Sequence, residues 1–186
     1  LGVPGETEFA GRGVSTCADC DGLMFEGADV VVAGGGNWAL QDALLLARDC
    51  SSVRVVHEGD EPSACGEYIA RVRAEPKIRV HPGLTIQEIL GNDTGVTAVR
   101  TRDTRGDLHD FPAAGLFALV GLEPNSAFAP GEVRRDDEGY LVVNDELETD
   151  LPGLWAIGQV RSGFGGWLSD AVTDARLAAK VVKARL

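Results

Sequence analysis

No stretch of this 186-residue sequence approaches the roughly 18 consecutive apolar residues that a bilayer-crossing helix needs, so a membrane-spanning role is not expected. Clusters of Lys and Arg are also missing. With 17 basic against 29 acidic side chains the formal net charge is −12, which opposes binding to phosphate backbones and anionic lipid. Nucleic acid and membrane surfaces are therefore poor candidates as partners. The opening residues Leu1 to Glu8 have neither the basic nor the apolar region of a signal peptide, and a cytoplasmic location is expected. There is no internal repeat and no low-complexity segment. The three histidines, His57, His81 and His109, are scattered and only one Cys-x-x-Cys occurs, so a four-ligand zinc site lacks ligands and no metal is expected. An initiating Met is absent, and Leu1-Gly2-Val3-Pro4-Gly5-Glu6 reads as a connector entered from an upstream domain.

What is present is a soluble α/β pattern rich in tight turns, with 24 glycines and no Gly-X-Y period. Asp29 to Ala33 is a short β-branched run of the kind found in strands buried on both faces of a parallel sheet. It ends in Gly34-Gly35-Gly36. Ala39, Leu40, Ala43, Leu44 and Ala47 then recur at helical spacing and predict a helix over Asn37 to Asp49. Val53 to His57 is a second strand and closes a βαβ unit. A short helix over Gly66 to Ala74 and a strand over Ile78 to His81 follow. Leu84 to Leu90 and Val96 to Thr101, separated by Gly91-Asn92-Asp93, predict an antiparallel hairpin insert. Leu116 to Val120 and Leu154 to Ile157 are further expected strands, and Leu168 to Leu186 a closing amphipathic helix. The expected organisation is a connector over residues 1–9, a nucleotide-binding domain over 10–117 and part of a second domain over 118–186.

Two constellations carry chemistry. Gly34-x-Gly36-x-x-Ala39 lies between a predicted strand and a predicted helix, the context that makes a glycine pattern a dinucleotide fingerprint. Gly34 permits the tight turn, Gly36 lets backbone approach the pyrophosphate, and small Ala39 allows close packing; Gly35 belongs to the same cofactor-binding turn. The amide groups from Asn37 onward face the anion at the helix start. Glu58 stands about 20 residues further on, where an acid hydrogen-bonds the adenosine ribose; otherwise it is a solvated strand end. With Gly59-Asp60-Glu61 behind it, it would repel a 2′-phosphate, so NADH is expected in preference to NADPH. The second constellation is Cys17-Ala18-Asp19-Cys20, a spacing that serves redox or metal chemistry. In the redox reading one sulfur becomes a thiolate that attacks a partner disulfide, and an acid protonates the leaving sulfur. Asp21, next to Cys20, is the candidate acid. Cys50 and Cys65 have no partner spacing and are read as structural.

These motifs, in order, resemble the low-molecular-weight thioredoxin reductases and the flavoprotein component of alkyl hydroperoxide reductase. Gly13-Val14-Ser15-Thr16-Cys17-Ala18-Asp19-Cys20-Asp21-Gly22 is similar to the family's dithiol segment, and Ala33-Gly34-Gly35-Gly36-Asn37-Trp38-Ala39 to its nucleotide turn. Val120-Gly121-Leu122-Glu123-Pro124-Asn125 and Pro152-Gly153-Leu154-Trp155-Ala156-Ile157-Gly158-Gln159-Val160 resemble two later segments. The resemblance implies an NADH-dependent, FAD-mediated disulfide reductase with two Rossmann-like domains, one holding the nicotinamide cofactor and the other FAD. It implies that Cys20 faces the flavin, that Cys17 exchanges with the substrate and that Asp21 is the acid. It further implies flavin contacts from Gly121, Gly158 and Gln159, a thioredoxin-like or peroxidase-reducing partner protein, and a homodimer.

The chain also departs from that pattern. Gln159 replaces an Asp, Leu168-Ser169-Asp170-Ala171 replaces Arg-Gln-Ala, and Trp38 replaces a small residue in the phosphate turn. The family begins with an FAD-binding βαβ unit that does not occur in this sequence, so an upstream segment or a second chain is expected to complete the FAD domain. A non-catalytic nucleotide-binding relative that lost the flavin electron path is the rival expectation.

Overall fold

The computed structural model describes residues 1–185. Two compact units are present, one from Leu1 to Gly121 and one from Leu122 onward.

The first unit is built on a five-stranded parallel sheet. Its strands are β1 (Val14–Ser15), β2 (Asp29–Ala33), β3 (Ser52–Val56), β4 (Ile78–His81) and β8 (Gly115–Ala118), in the order β1-β8-β2-β3-β4. The run Val30-Val31-Val32 explains why β2 sits centrally. Successive side chains point to opposite faces, and both faces are covered. Val30 and Val32 pack with Leu40, Ala43 and Leu46 of α2 (Asn37–Leu46) and Val72 of α3 (Gly66–Ala74), whereas Val31 and Ala33 pack with Ile86, Ile89, Val96 and Val99. Each fully buried Val contributes about 1.5–3 kcal/mol over an exposed one, so burial on both sides holds β2 in register. The opposite layer is a three-stranded antiparallel sheet of β5 (Leu84–Asn92), β6 (Gly95–Asp103) and β7 (Leu108–Pro112).

Most expected elements lie within a residue or two of their predicted bounds, but five differences are informative. The helix predicted to Asp49 ends regularly at Leu46, and Ala47 to Asp49 continue as turns. Strand β7 was not anticipated, because Leu-His-Asp-Phe-Pro is an edge strand with no apolar alternation; a paired cross-strand Arg100–Asp110 fork helps fix it. Leu154 to Ile157 forms no strand: its only ladder contact among the described residues is an isolated bridge from Trp155 to Glu148. Residues 1–9 pack into the first unit, since Phe9 is buried and the Ile89 N–H donates to the Pro4 carbonyl. The division between units falls at residues 121 and 122, because Leu119 is still tied to Ala33 by a backbone hydrogen bond.

The second unit has a small core of Ala129, Val133, Leu141 and Ala156. It ends in α4, described from Leu168 to Arg185, whose sole fully buried side chain among the described residues is Asp174. No helix of the described residues is long and apolar enough to cross a membrane.

Candidate active site

In the strand order, the chain proceeds from β2 outward to β3 and β4, then returns to lay β8 on the other side of β2. A crevice opens at the carboxyl ends of the strands where that direction reverses. The three loops that meet there follow β2, β3 and β8, and they line a cleft of about 620 Å³. Its walls include Gly34, Gly35, Gly36, Asn37 and Trp38 from the first loop, His57, Glu58, Glu61 and Ser63 from the second, and Leu119, Val120 and Gly121 from the third. The volume lies within the usual range for a small-molecule or cofactor site.

The glycines serve different ends. Gly34 has φ +126°, and a Cβ there would overlap the Leu119 carbonyl oxygen, so this position is fixed by the fold. Gly36 has ordinary φ −81° and open space, with Ser63 Oγ the nearest atom to a Cβ at 3.9 Å. It caps α2 without any side-chain hydrogen bond, leaving the first amide groups of a ten-residue helix uncapped by protein side chains, an arrangement that attracts anions. The residues therefore fit a dinucleotide pyrophosphate. Ala39 is fully buried beneath the turn. The Asn37 side chain faces elsewhere: its Oδ1 accepts the Cys65 N–H at 2.7 Å. Glu58 is exposed on the cleft wall beside Glu61, and Glu61 forms a 2.8 Å ion pair with Arg73. Trp38 is 44% exposed on the same wall. His57, which the sequence placed only at a strand end among scattered histidines, is buried there, and burial pushes its pKa down while Glu61 opposes the shift.

Cys17 and Cys20 form a disulfide with Cα atoms 5.3 Å apart. Cys17 caps the one-turn helix α1 (Ala18–Asp21), and the Cys20 N–H points to Cys17 Sγ at 3.2 Å. Cys17 is half-buried and Cys20 exposed. Ser15 Oγ accepts the Cys17 N–H at 3.1 Å and donates to Asp21 Oδ2 at 2.7 Å, so one hydroxyl connects the cysteine backbone to the candidate acid. Neither cysteine lines this cleft. Ser15 appears in the motif, but its role depends on a fold-back that spacing does not reveal. Asp42, on α2, also escaped the sequence reading; its signal is an acid three residues after Ala39 on an otherwise apolar face. Cys50 is buried and burial raises its thiol pKa, whereas Cys65 is exposed at the start of α3.

In the second unit, Gly158 and Gln159 lie in a short 3-10 turn, Gly158–Val160. The Gly158 N–H donates to Asp174 Oδ2 at 2.9 Å, and the same carboxylate takes a two-point contact from Arg161 at 2.6 and 2.7 Å. Arg161 holds the Asp174 pKa below the ordinary carboxylate range. Gln159 is exposed, and its amide can both donate and accept. The Gly158 N–H is thus engaged within the unit, whereas the Gln159 side chain lies at the surface, where it could meet a cofactor. Among the described residues no group of three or more His, Cys, Asp or Glu side chains is gathered as a metal site.

The family profile described as "Pyridine nucleotide-disulphide oxidoreductase" matches residues 1–180. This chain belongs to that family. It is 42% identical over 162 residues to a thioredoxin reductase of Mycolicibacterium smegmatis, covering 86% of this chain and 52% of the relative. A thioredoxin reductase of Treponema pallidum is 35% identical over 180 residues, covering 96% of this chain and 58% of the relative. The chain thus spans about half the length of these relatives. The crystal structure of Lactococcus lactis thioredoxin reductase in its FR conformation superposes with a TM-score of 0.93 at 33% identity, over 99% of this chain and 61% of that one. The crystal structure of T. acidophilum thioredoxin reductase matches with a TM-score of 0.93 at 32% identity, over 100% of this chain and 61% of that one. The resemblance read from the dithiol and glycine motifs is thereby established, as is the α/β fold.

Proposed function

We propose that this chain is the nicotinamide-binding and dithiol part of an NADH-dependent, FAD-mediated disulfide reductase acting on a thioredoxin-like or peroxidase-reducing protein. The observation that carries the reading is a Cys17–Cys20 disulfide on the same unit as a dinucleotide cleft yet outside its lining. Hydride and disulfide then need a carrier between them, and the similarity to thioredoxin reductases supports FAD in that place. Gly34, Gly35, Gly36, Asn37 and Ala39 form the pyrophosphate turn, and Glu58 holds the ribose hydroxyls. In the second unit, Gly158 and Gln159 contribute to the flavin site. The remainder of the FAD fold comes from an upstream segment or second chain, and the working form is a cytoplasmic homodimer.

FAD, when bound, would supply two-electron chemistry between a hydride donor and the Cys17–Cys20 disulfide. The protein's own residues then carry the exchange. After reduction, the Cys17 thiolate attacks one sulfur of the partner disulfide, forming a mixed disulfide and releasing one partner thiolate, which takes a proton. Cys20 next attacks Cys17, restoring the Cys17–Cys20 bond and releasing the second partner thiol. The partner gains two electrons and two protons. Ser15 orients Asp21 to supply a proton to a leaving sulfur.

The direct test is steady-state reduction of a thioredoxin disulfide with NADH and NADPH, using yellow holoprotein. NADH should give the higher kcat/KM, and Glu58→Arg should narrow or reverse the preference, because a carboxylate repels the 2′-phosphate and a guanidinium pairs with it. Equal efficiency with NADPH in the parent protein would refute the Glu58 assignment. A colourless protein that binds NADH would instead favour the non-catalytic relative, a reading motivated by Trp38 and by the committed Gly158 amide.

A further inference from the structure

We propose that Asp42 is a positioning residue of the dithiol, pinning the peptide group that follows Cys17 and holding a negative charge one peptide unit from that cysteine.

Asp42 sits in the middle of α2 with only 5% of its surface exposed, on the face formed by Ala39, Leu40, Ala43 and Leu46. Removing a carboxylate from water costs several kcal/mol unless hydrogen bonds compensate. Its bond here is to the Ala18 N–H, at 3.0 Å from Oδ2. Ala18 is itself buried and opens α1 directly after Cys17. Ser15 Oγ holds the other flank, the Cys17 N–H, at 3.1 Å. Both peptide groups bracketing Cys17 are therefore fastened by side chains, one from the preceding strand and one from the nucleotide-binding helix. An apolar residue at position 42 would suit the helix core at lower desolvation cost, so core packing does not account for the acid.

The charge has a chemical consequence. Burial and the charge of Asp19 push the Asp42 pKa up, opposed by the Ala18 amide. Negative charge around Cys17 disfavours its thiolate. A less stable reduced form is a stronger reductant, which suits a dithiol that passes electrons onward. This inference rests on the reading of Cys17 as the exchanging thiol, and the measurement below needs neither NADH nor flavin.

The Asp42→Asn variant keeps an oxygen for the Ala18 amide while removing the charge, and Asp42→Ala removes both. In a Cys65→Ser background, which silences the exposed free thiol, the dithiothreitol-reduced full-length protein is alkylated with iodoacetamide across pH and the modified cysteine is identified by mass spectrometry. Asp42→Asn is expected to lower the Cys17 pKa by about one unit, giving roughly tenfold more thiolate at any pH below both values. Asp42→Ala is expected to lower it similarly and to speed hydrogen exchange at the Ala18 amide, which Asp42→Asn leaves protected. A Cys17 pKa within about 0.3 unit of the parent in Asp42→Asn would overturn the proposal. That variant carries the test alone if Asp42→Ala does not fold. Preferential alkylation of Cys20 in the parent would instead refute the assignment of thiol roles, and failure of NADH to reduce the disulfide would refute the proposed function without touching this result.

Discussion

Gly34 and Gly36 belong to one turn, yet the structure assigns them opposite duties, and alanine at each position separates the two. At Gly34, alanine meets two penalties. A side chain at φ +126° costs about 1–3 kcal/mol in backbone strain. The overlap with the Leu119 carbonyl adds overpacking of about 1–3 kcal/mol. That carbonyl has little room to retreat, because the Leu119 N–H is bound to the Ala33 carbonyl at 2.8 Å and moving it loosens the β2–β8 join. A net loss of about 3 kcal/mol lowers Tm by roughly 10 °C for a unit of this size. At Gly36 the φ is ordinary and the space is open. The small cost of alanine at a helix cap is offset by the reduced entropy of the unfolded chain, so stability should stay within about 0.5 kcal/mol. The new methyl group instead stands where backbone must approach the pyrophosphate, and NADH affinity should fall at least about tenfold, or about 1.4 kcal/mol. Thermal unfolding followed by circular dichroism gives the first quantity and titration of NADH fluorescence the second. The reasoning fails if Gly34→Ala melts within about 2 °C of the parent, or if Gly36→Ala binds NADH as tightly as the parent.

Other consequences are equally checkable. Cys20→Ser should abolish disulfide reduction while leaving flavin bleaching by NADH intact in stopped-flow absorbance; loss of both steps would contradict the assigned roles. Asp174→Ala should destabilise the second unit by about 3–5 kcal/mol, because it strands the partly buried Arg161 guanidinium and the Gly158 amide, and urea unfolding will measure it. Since the folded pKa of Asp174 is depressed, its contribution is fully present above the unfolded value of about 3.9 and is lost as pH falls through the folded value. Acid titration of the Asp174→Asn variant should lack that component. His57 and His81 are both depressed, chiefly by burial, with Glu61 opposing at His57 and Arg54 and Arg79 adding at His81. The first unit should therefore keep full stability above the unfolded histidine pKa of about 6.5 and lose it as pH falls through the folded values. Urea midpoints at pH 7.5 and 5.5 should show this drop, and it should shrink in the doubly substituted His57→Gln, His81→Gln protein.

Much of the first unit was legible because its signals are local. A run such as Val30-Val31-Val32 can be satisfied only by burial on both sides, the glycine turn follows it directly, and the helix face repeats at its own period. The fingerprint is thus a property of adjacent residues, as is the Cys17–Cys20 spacing. Where the signal was weak, the prediction failed: β7 lies at a solvent-facing edge and needs no apolar alternation, and Leu154 to Ile157 reads as a strand only if a neighbour supplies a ladder.

By itself, the order of amino acids determined the βαβ nucleotide turn, the redox spacing and the acidic character of Glu58, since each depends on chain neighbours and intrinsic conformational preference. Tertiary structure alone decided that Gly34 answers to Leu119 and Gly36 to open space, that Ser15 orients Asp21, and that Asp42 reaches Ala18 across 24 residues. It also decided that Arg161 and Asp174 close on Gly158. These relations join groups brought together by packing, and no hydrophobic period or motif spacing encodes which buried donor will face which acceptor.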